Sequence, residues 1–151
     1  MSERSKSASE KFKTGYNCAQ AVLTTFSDLL DQDEKELRAI AAALGGGMGK
    51  MQYTCGAVTG SFLALSIYAS NIAADNGEAK EVSGEMVRDF SKQFTALQGS
   101  LSCREITGVD MNTEEGKREM EEKQIHGTIC AKAVEDAVKI LEGMMVKADT
   151  V

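Results

Sequence analysis

Four cysteines, Cys18, Cys55, Cys103 and Cys130, carry the reactive chemistry of this sequence. The thiolate, not the thiol, attacks disulfides and binds metals, so the question is what would favour the charged form. Each cysteine falls at or near a predicted helix start, behind a capping residue. Cys18 follows Asn17, Cys55 follows Thr54, Cys103 follows Ser102, and Cys130 lies two residues beyond Thr128. First-turn N–H groups lack an intrahelical partner, and the helix dipole adds partial positive charge there. Such placement is expected to lower the thiol pKa. If the four helix starts converge, they form a pocket suited to concentrated negative charge. Four thiolates or an anionic metal–sulfur cluster are the obvious occupants.

The stretch Thr54-Cys55-Gly56-Ala57-Val58-Thr59-Gly60 is the focus of the pattern. Thr54 reads as an N-cap, which places Cys55 in the first turn of a helix running to about Ala74. Gly56 and Gly60 lie four residues apart on one face of that helix. Without side chains there, another backbone or a cofactor can approach Cys55, and both glycines are candidate cofactor-binding positions.

Three chemistries compete for the cysteines. An iron–sulfur centre needs four thiolates around one site, and helix N–H groups would stabilise it and raise its potential. The wide gaps between these cysteines match none of the tight cluster spacings. Structural zinc calls for two close C-x₂₋₄-C pairs, which are absent. Reversible dithiol chemistry needs only low-pKa thiols within bonding distance. No C-x-x-C is present, so the site is not of the thioredoxin type, and no C-x-x-C-H encodes covalent haem. His126, the only histidine, precedes Cys130 by four residues and could serve it as proton acceptor or extra ligand. A surface or capping role is the plainer reading, because Gly127 can separate the two. Tyr16 and Tyr53 each precede a cysteine by two residues; ordinary packing is preferred over a role in walling the site.

The arrangement Cys18, Cys55-Gly56-Ala57-Val58-Thr59-Gly60, Cys103, Cys130 resembles a family of redox-active proteins of about this length. That family is named for its pattern, C…GCAxxG/CGAxxG…C…C. The match runs from Gly15-Tyr16-Asn17-Cys18-Ala19-Gln20-Ala21-Val22 to Cys130. The resemblance implies redox activity through the four cysteines. Members are similar to the cysteine-bearing domain of split-Soret cytochromes c, where such cysteines imply an iron–sulfur centre. This chain lacks the haem motifs of those cytochromes, so no haem is expected.

The remaining sequence supplies a helical frame. The chain has 151 residues, 42% hydrophobic and 26% charged, with no proline and no tryptophan. That length suits one domain with a real core. The absence of proline and of sustained period-two alternation predicts a compact all-α bundle of about five to seven helices. The buried central helix would span about residues 54–74. Asn17 with Gln20, and Ser102 with Glu105, form capping-box patterns. The first predicts a helix from Cys18 to about Leu30. Asp31 or Asp33 caps a helix over Glu34 to Leu44, Asp75-Asn76-Gly77 precedes an amphipathic helix to Gln98, and Thr113 caps a charged one. Ile129 to about Val146 is the last helix.

Gly45-Gly46-Gly47-Met48-Gly49 reads as a flexible turn with Met48 and Met51 filling gaps beside it. No Gly-Lys-Ser/Thr ending follows, so no nucleotide is expected. The net charge of −6 argues against nucleic acid. Met1 to Lys13 has no apolar core, so no secretory signal is expected, and the central apolar run is short for a membrane span. The expected location is the cytoplasm, where thiols stay reduced. An oxidoreductase or electron carrier with a redox partner, and a possible homodimer across the central helix, is one function class. A helical interaction module with inert core cysteines is the other.

Overall fold

The computed structural model describes residues 2–149, with side chains described as far as Met145. Among these residues the fold is all-α, with nine α-helices, a 3₁₀ turn, a π-turn and no strand. The expected five to seven helices become nine partly because the run from Cys18 to Leu30 divides in two.

Helix α1 (Glu3–Lys13) is capped by Ser2 and buries Ala8 and Phe12 against the last helix. Helix α2 (Cys18–Thr24) opens with both halves of the Asn17/Gln20 capping box. It ends where the hydroxyls of Thr24 and Thr25 bond back to the carbonyls of Gln20 and Ala21, a pattern that bends helices. Helix α3 (Ser27–Leu30) follows and stops at Asp31, which is left-handed at φ 54°. Asp33, not Asp31, caps α4 (Glu34–Ile40), and a 3₁₀ turn covers Ala42–Leu44.

Helix α5 (Gly56–Ile72) is the central element. It packs chiefly on α2 and α6 and also on α9. Ala57, Val58, Ala64, Leu65 and Ala69 are fully buried, and the Ser61 hydroxyl is satisfied by the carbonyl of Ala57. Helix α6 (Asn76–Gln98) is capped by Asp75 and closed by Gly99 at φ 83°. Its Phe90 and Phe94 stack at 5.7 Å, each fully buried. Burying each ring contributes roughly 1.5–3 kcal/mol. Short helices α7 (Cys103–Thr107) and α8 (Glu114–Glu122) are capped by Ser102 and Thr113. A π-turn, His126–Cys130, runs directly into α9 (Ala131–Asp149). No helix among the described residues is long and apolar enough to cross a membrane.

Three expectations about the loop before α5 need correction. Thr54 does not cap α5; it pairs with Ser102 in an isolated antiparallel bridge, and Cys55 itself is the N-cap. The glycine turn is not loosely held. Gly46, Gly47, Met48, Gly49, Lys50 and Gln52 all have positive φ. Their left-handed path is closed by bonds from Gly49 N–H to Ala43 O (2.8 Å), Gln52 N–H to Gly46 O (3.0 Å) and Tyr53 N–H to Gly47 O (3.0 Å). Left-handed backbone costs a non-glycine residue about 1–2 kcal/mol, which explains the glycines and makes Met48, Lys50 and Gln52 notable. Met51 fills no gap, being 58% exposed.

Candidate functional site

Cys18 is the first residue of α2 and Cys103 the first of α7, as their capping residues predict. Cys55 precedes α5 by one residue. The Thr54–Ser102 bridge ties the starts of α5 and α7 together. Cys55 N–H donates to Leu101 O at 2.8 Å, and Cys103 N–H donates to Tyr53 O at 2.6 Å. Cys130 is different. Helical backbone already runs from Ile125, so Cys130 sits a full turn inside a helix, at the end of the π-turn. The expectation that all four cysteines stand at helix starts therefore fails at Cys130. Gly127 does not separate His126 from Cys130; both lie in this widened turn, a feature often found at functional sites.

Glycines set the distances between these elements. A Cβ on Gly47 would lie 2.8 Å from the Cβ of Cys103 and 2.7 Å from the Tyr53 nitrogen. One on Gly56 would lie 3.0 Å from the Cβ of Cys18 and 3.1 Å from the Ala19 nitrogen. Gly56 thus seats the start of α5 beside the start of α2. Gly60 faces the backbone of Ala19, where a Cβ would come within 2.6 Å of that carbonyl oxygen, and takes no part in lining the site.

All four cysteines line one cavity of about 80 Å³. By the measure of one water per ~10–15 Å³, it has room for several water-sized groups. Asn17, Gly46, Gly47, Gly56, Ile106, Thr107, Met111, Met120, His126 and Ala133 complete the wall. No aspartate or glutamate is among them, so the site's chemistry is that of sulfur with one imidazole. The His126 ring stacks on Phe12 at 4.3 Å, and burial pulls its pKa below the ordinary value, leaving it neutral at neutral pH. Tyr16 and Tyr53 do not reach the cavity. The Tyr16 hydroxyl donates to Glu34 at 2.8 Å, and Tyr53 is 61% exposed.

Electrostatics reverse the expected activation. Burial pushes the Cys55 thiol up to about 11 and Cys130 up to about 12, and raises Cys103 and, well beyond its ordinary value, Cys18. Cys18 is raised further by the charges the other three cysteines would carry. Opposing effects are smaller. The N–H groups of Ala57 and Val58 favour the Cys55 thiolate, although no side-chain cap bond closes there, and Gln52 favours that of Cys103. Desolvation is the largest effect on each of the four thiols. At neutral pH the four are neutral thiols, and none is joined in a disulfide.

Among the described residues, no three or more histidine, cysteine, aspartate or glutamate side chains stand together as a ready ligand set for a metal ion. Tetrahedral thiolates around one zinc at about 2.3 Å would have to draw their sulfurs to about 3.8 Å apart. A polynuclear iron–sulfur cluster holds its four thiolates further apart, around a space. Four soft sulfur donors on one largely apolar wall are the donor type that such a group takes.

A family model described as "Putative redox-active protein (C_GCAxxG_C_C)" matches residues 16–144. The chain belongs to that family. The match takes in all four cysteines and the Cys55–Gly60 stretch. Comparison with curated proteins and with solved structures returns no match.

Several wall residues of this family member escape sequence reasoning. Met111 and Met120 lie in and beyond an irregular loop with no periodic pattern to mark them. Asn17 is legible as a cap but not as a wall. Behind the wall, Gln52 is the least expected: a buried, left-handed glutamine whose Nε2 donates to Val109 O at 2.9 Å and to the Thr107 hydroxyl at 3.2 Å.

Proposed function

We propose that Cys18, Cys55, Cys103 and Cys130 together ligate an iron–sulfur centre through which the protein carries electrons. One observation carries this reading: four cysteines from four separate elements line a single cavity, unpaired and with space between them. When bound, such a group accepts and returns single electrons.

The chain's own residues have definable parts in this reading. Each cysteine must give up a proton on ligation, and burial makes that costly without a cation. Affinity for the metal therefore rises with pH and falls with acid. The N–H groups of Ala57 and Val58, and the Gln52 side chain, withdraw charge from the Cys55 and Cys103 sulfurs. Such contacts around the ligands raise the potential. Ile106, Met111, Met120 and Ala133 keep the surroundings apolar. A thiol/disulfide enzyme would need an accessible low-pKa attacker, and all four thiols here are shifted the other way. A reducing compartment such as the cytoplasm suits the reading, with a separate donor or acceptor of electrons as partner.

The test is anaerobic purification followed by iron and acid-labile sulfide analysis. Stoichiometric iron and sulfide with visible absorption bleached by dithionite is the expected outcome. Iron-free protein that instead forms intramolecular disulfides rapidly would replace the reading with dithiol chemistry. Slow modification of all four thiols would favour an inert helical module.

A further inference from the structure

The cysteine cavity is not sealed. A second, larger basin of about 840 Å³ lies against it, and the two share Asn17, Gly46, Met111, Met120 and His126 as common wall. That volume falls within the ~300–1,000 Å³ of small-molecule sites. A centre that only passes electrons to another protein has no need of a molecule-sized antechamber. The basin's charge runs against that of the whole chain. Lys50 and Lys117 line it against a single acid, Glu121, with His126 neutral, whereas the chain as a whole carries −6. Among the described residues Lys50 makes no ion pair, and Lys117 meets only the exposed Glu114, at 4.0 Å. Asn112 Nδ2 donates to Lys50 O at 2.8 Å, fastening the two rims across the basin.

We propose that this basin binds a small carboxylate-bearing organic molecule and presents it to the cysteines through the neck formed by Met111, Met120 and His126. The ammonium groups of Lys50 and Lys117 select the anion at the rim. Apolar side chains of Met111, Met120 and the 3₁₀ turn hold its body. The inference gives the proposed redox centre a substrate class and so rests on that reading, but the geometry of access is tested separately from the iron.

Two disulfide reagents supply the probe. 5,5′-Dithiobis(2-nitrobenzoate) carries two carboxylates, and 4,4′-dithiodipyridine is neutral near pH 8. Each exchanges with a protein thiol to leave a mixed disulfide and release one aryl thiol. Their labelling rates are measured on the full, reduced, iron-free chain. The ratio of anionic to neutral rate is expected to fall about three- to tenfold in the Lys50→Gln/Lys117→Gln protein, with native circular dichroism retained. The difference should shrink at about 0.5 M salt, where the screening length is only a few Å. Met120→Trp, which plugs the neck, should slow both reagents at least threefold. An unchanged ratio in the double variant, no effect of Met120→Trp, or failure of either reagent to label the native protein would each overturn the proposal. Iron and sulfide content is read on separate samples, so the basin and the cluster can fail independently.

Discussion

Gly60 decides how closely α5 and α2 stand. A Cβ there would meet the Ala19 carbonyl at 2.6 Å and its Cα at 2.9 Å, and backbone cannot swing aside as a flexible side chain can. Alanine gains about 1 kcal/mol over glycine in helix propensity, but overpacking costs about 1–3 kcal/mol. The clash should win. Gly60→Ala is expected to lower unfolding stability by about 1–2 kcal/mol in a denaturant titration. Gly143→Ala on α9, where a Cβ meets nothing within 4 Å, should raise it by about 0.4–1 kcal/mol. Equal effects at the two sites would contradict the packing assigned to Gly60. The sequence showed that something approaches this glycine; it could not show that the visitor is the Ala19 backbone and not a cofactor. Cys55 has the same history. Its type and neighbours marked it as a site residue, but its pKa depends first on burial and also on the charge of Cys103, and neither is a local property.

At the level of elements, Gln52 clips the glycine turn to the loop between α7 and α8. Its Oε1 accepts the Met111 N–H at 2.9 Å while Nε2 serves Val109 and Thr107. Gln52→Ala leaves the Met111 N–H unpaired, worth roughly 1–3 kcal/mol if it stays buried, and leaves the Val109 carbonyl only its 3.3 Å bond from the Thr107 hydroxyl. Hydrogen exchange at Met111 should quicken markedly in this variant, while exchange in the middle of α6 changes little. Unchanged exchange at Met111 would remove Gln52 from this role. Helices with strong caps were legible from sequence. Asn17, Asp33, Ser102 and Thr113 each cap as their side chains and positions imply. The π-turn before α9, the break after Thr24 and the left-handed path from Gly46 to Gln52 were not, because tertiary contacts and cross-turn hydrogen bonds select them.

For the molecule as a whole, four neutral thiols, two buried and two half-buried, make stability depend on pH in a definite direction. Cys55 and Cys130 titrate at about 11 and about 12 in the folded chain. An unfolded cysteine titrates near ~8.5. Above that value the unfolded state holds fewer protons than the native one, so stability falls as pH rises. The contribution is fully present below the unfolded pKa and is lost as pH climbs through the folded values. The melting temperature of the iron-free protein should therefore decline between about pH 8.5 and 11, and Cys130→Val should flatten the decline. A flat profile in the parent protein would mean the thiols are more exposed than the structure places them. The all-α architecture was legible at this scale from the missing proline and the helical periodicities. The convergence of the cysteines was an inference from their similar placement, and it holds although Cys130 arrives by a different route.

A single-serine series asks whether the four cysteines act as one centre. Cys18→Ser, Cys55→Ser, Cys103→Ser and Cys130→Ser are purified anaerobically, and iron and acid-labile sulfide are measured per chain. If the four thiols share one centre, each substitution should lower or destabilise iron and sulfide together, by comparable amounts. Full iron and sulfide in any one variant, with the other three depleted, would contradict a shared four-cysteine centre.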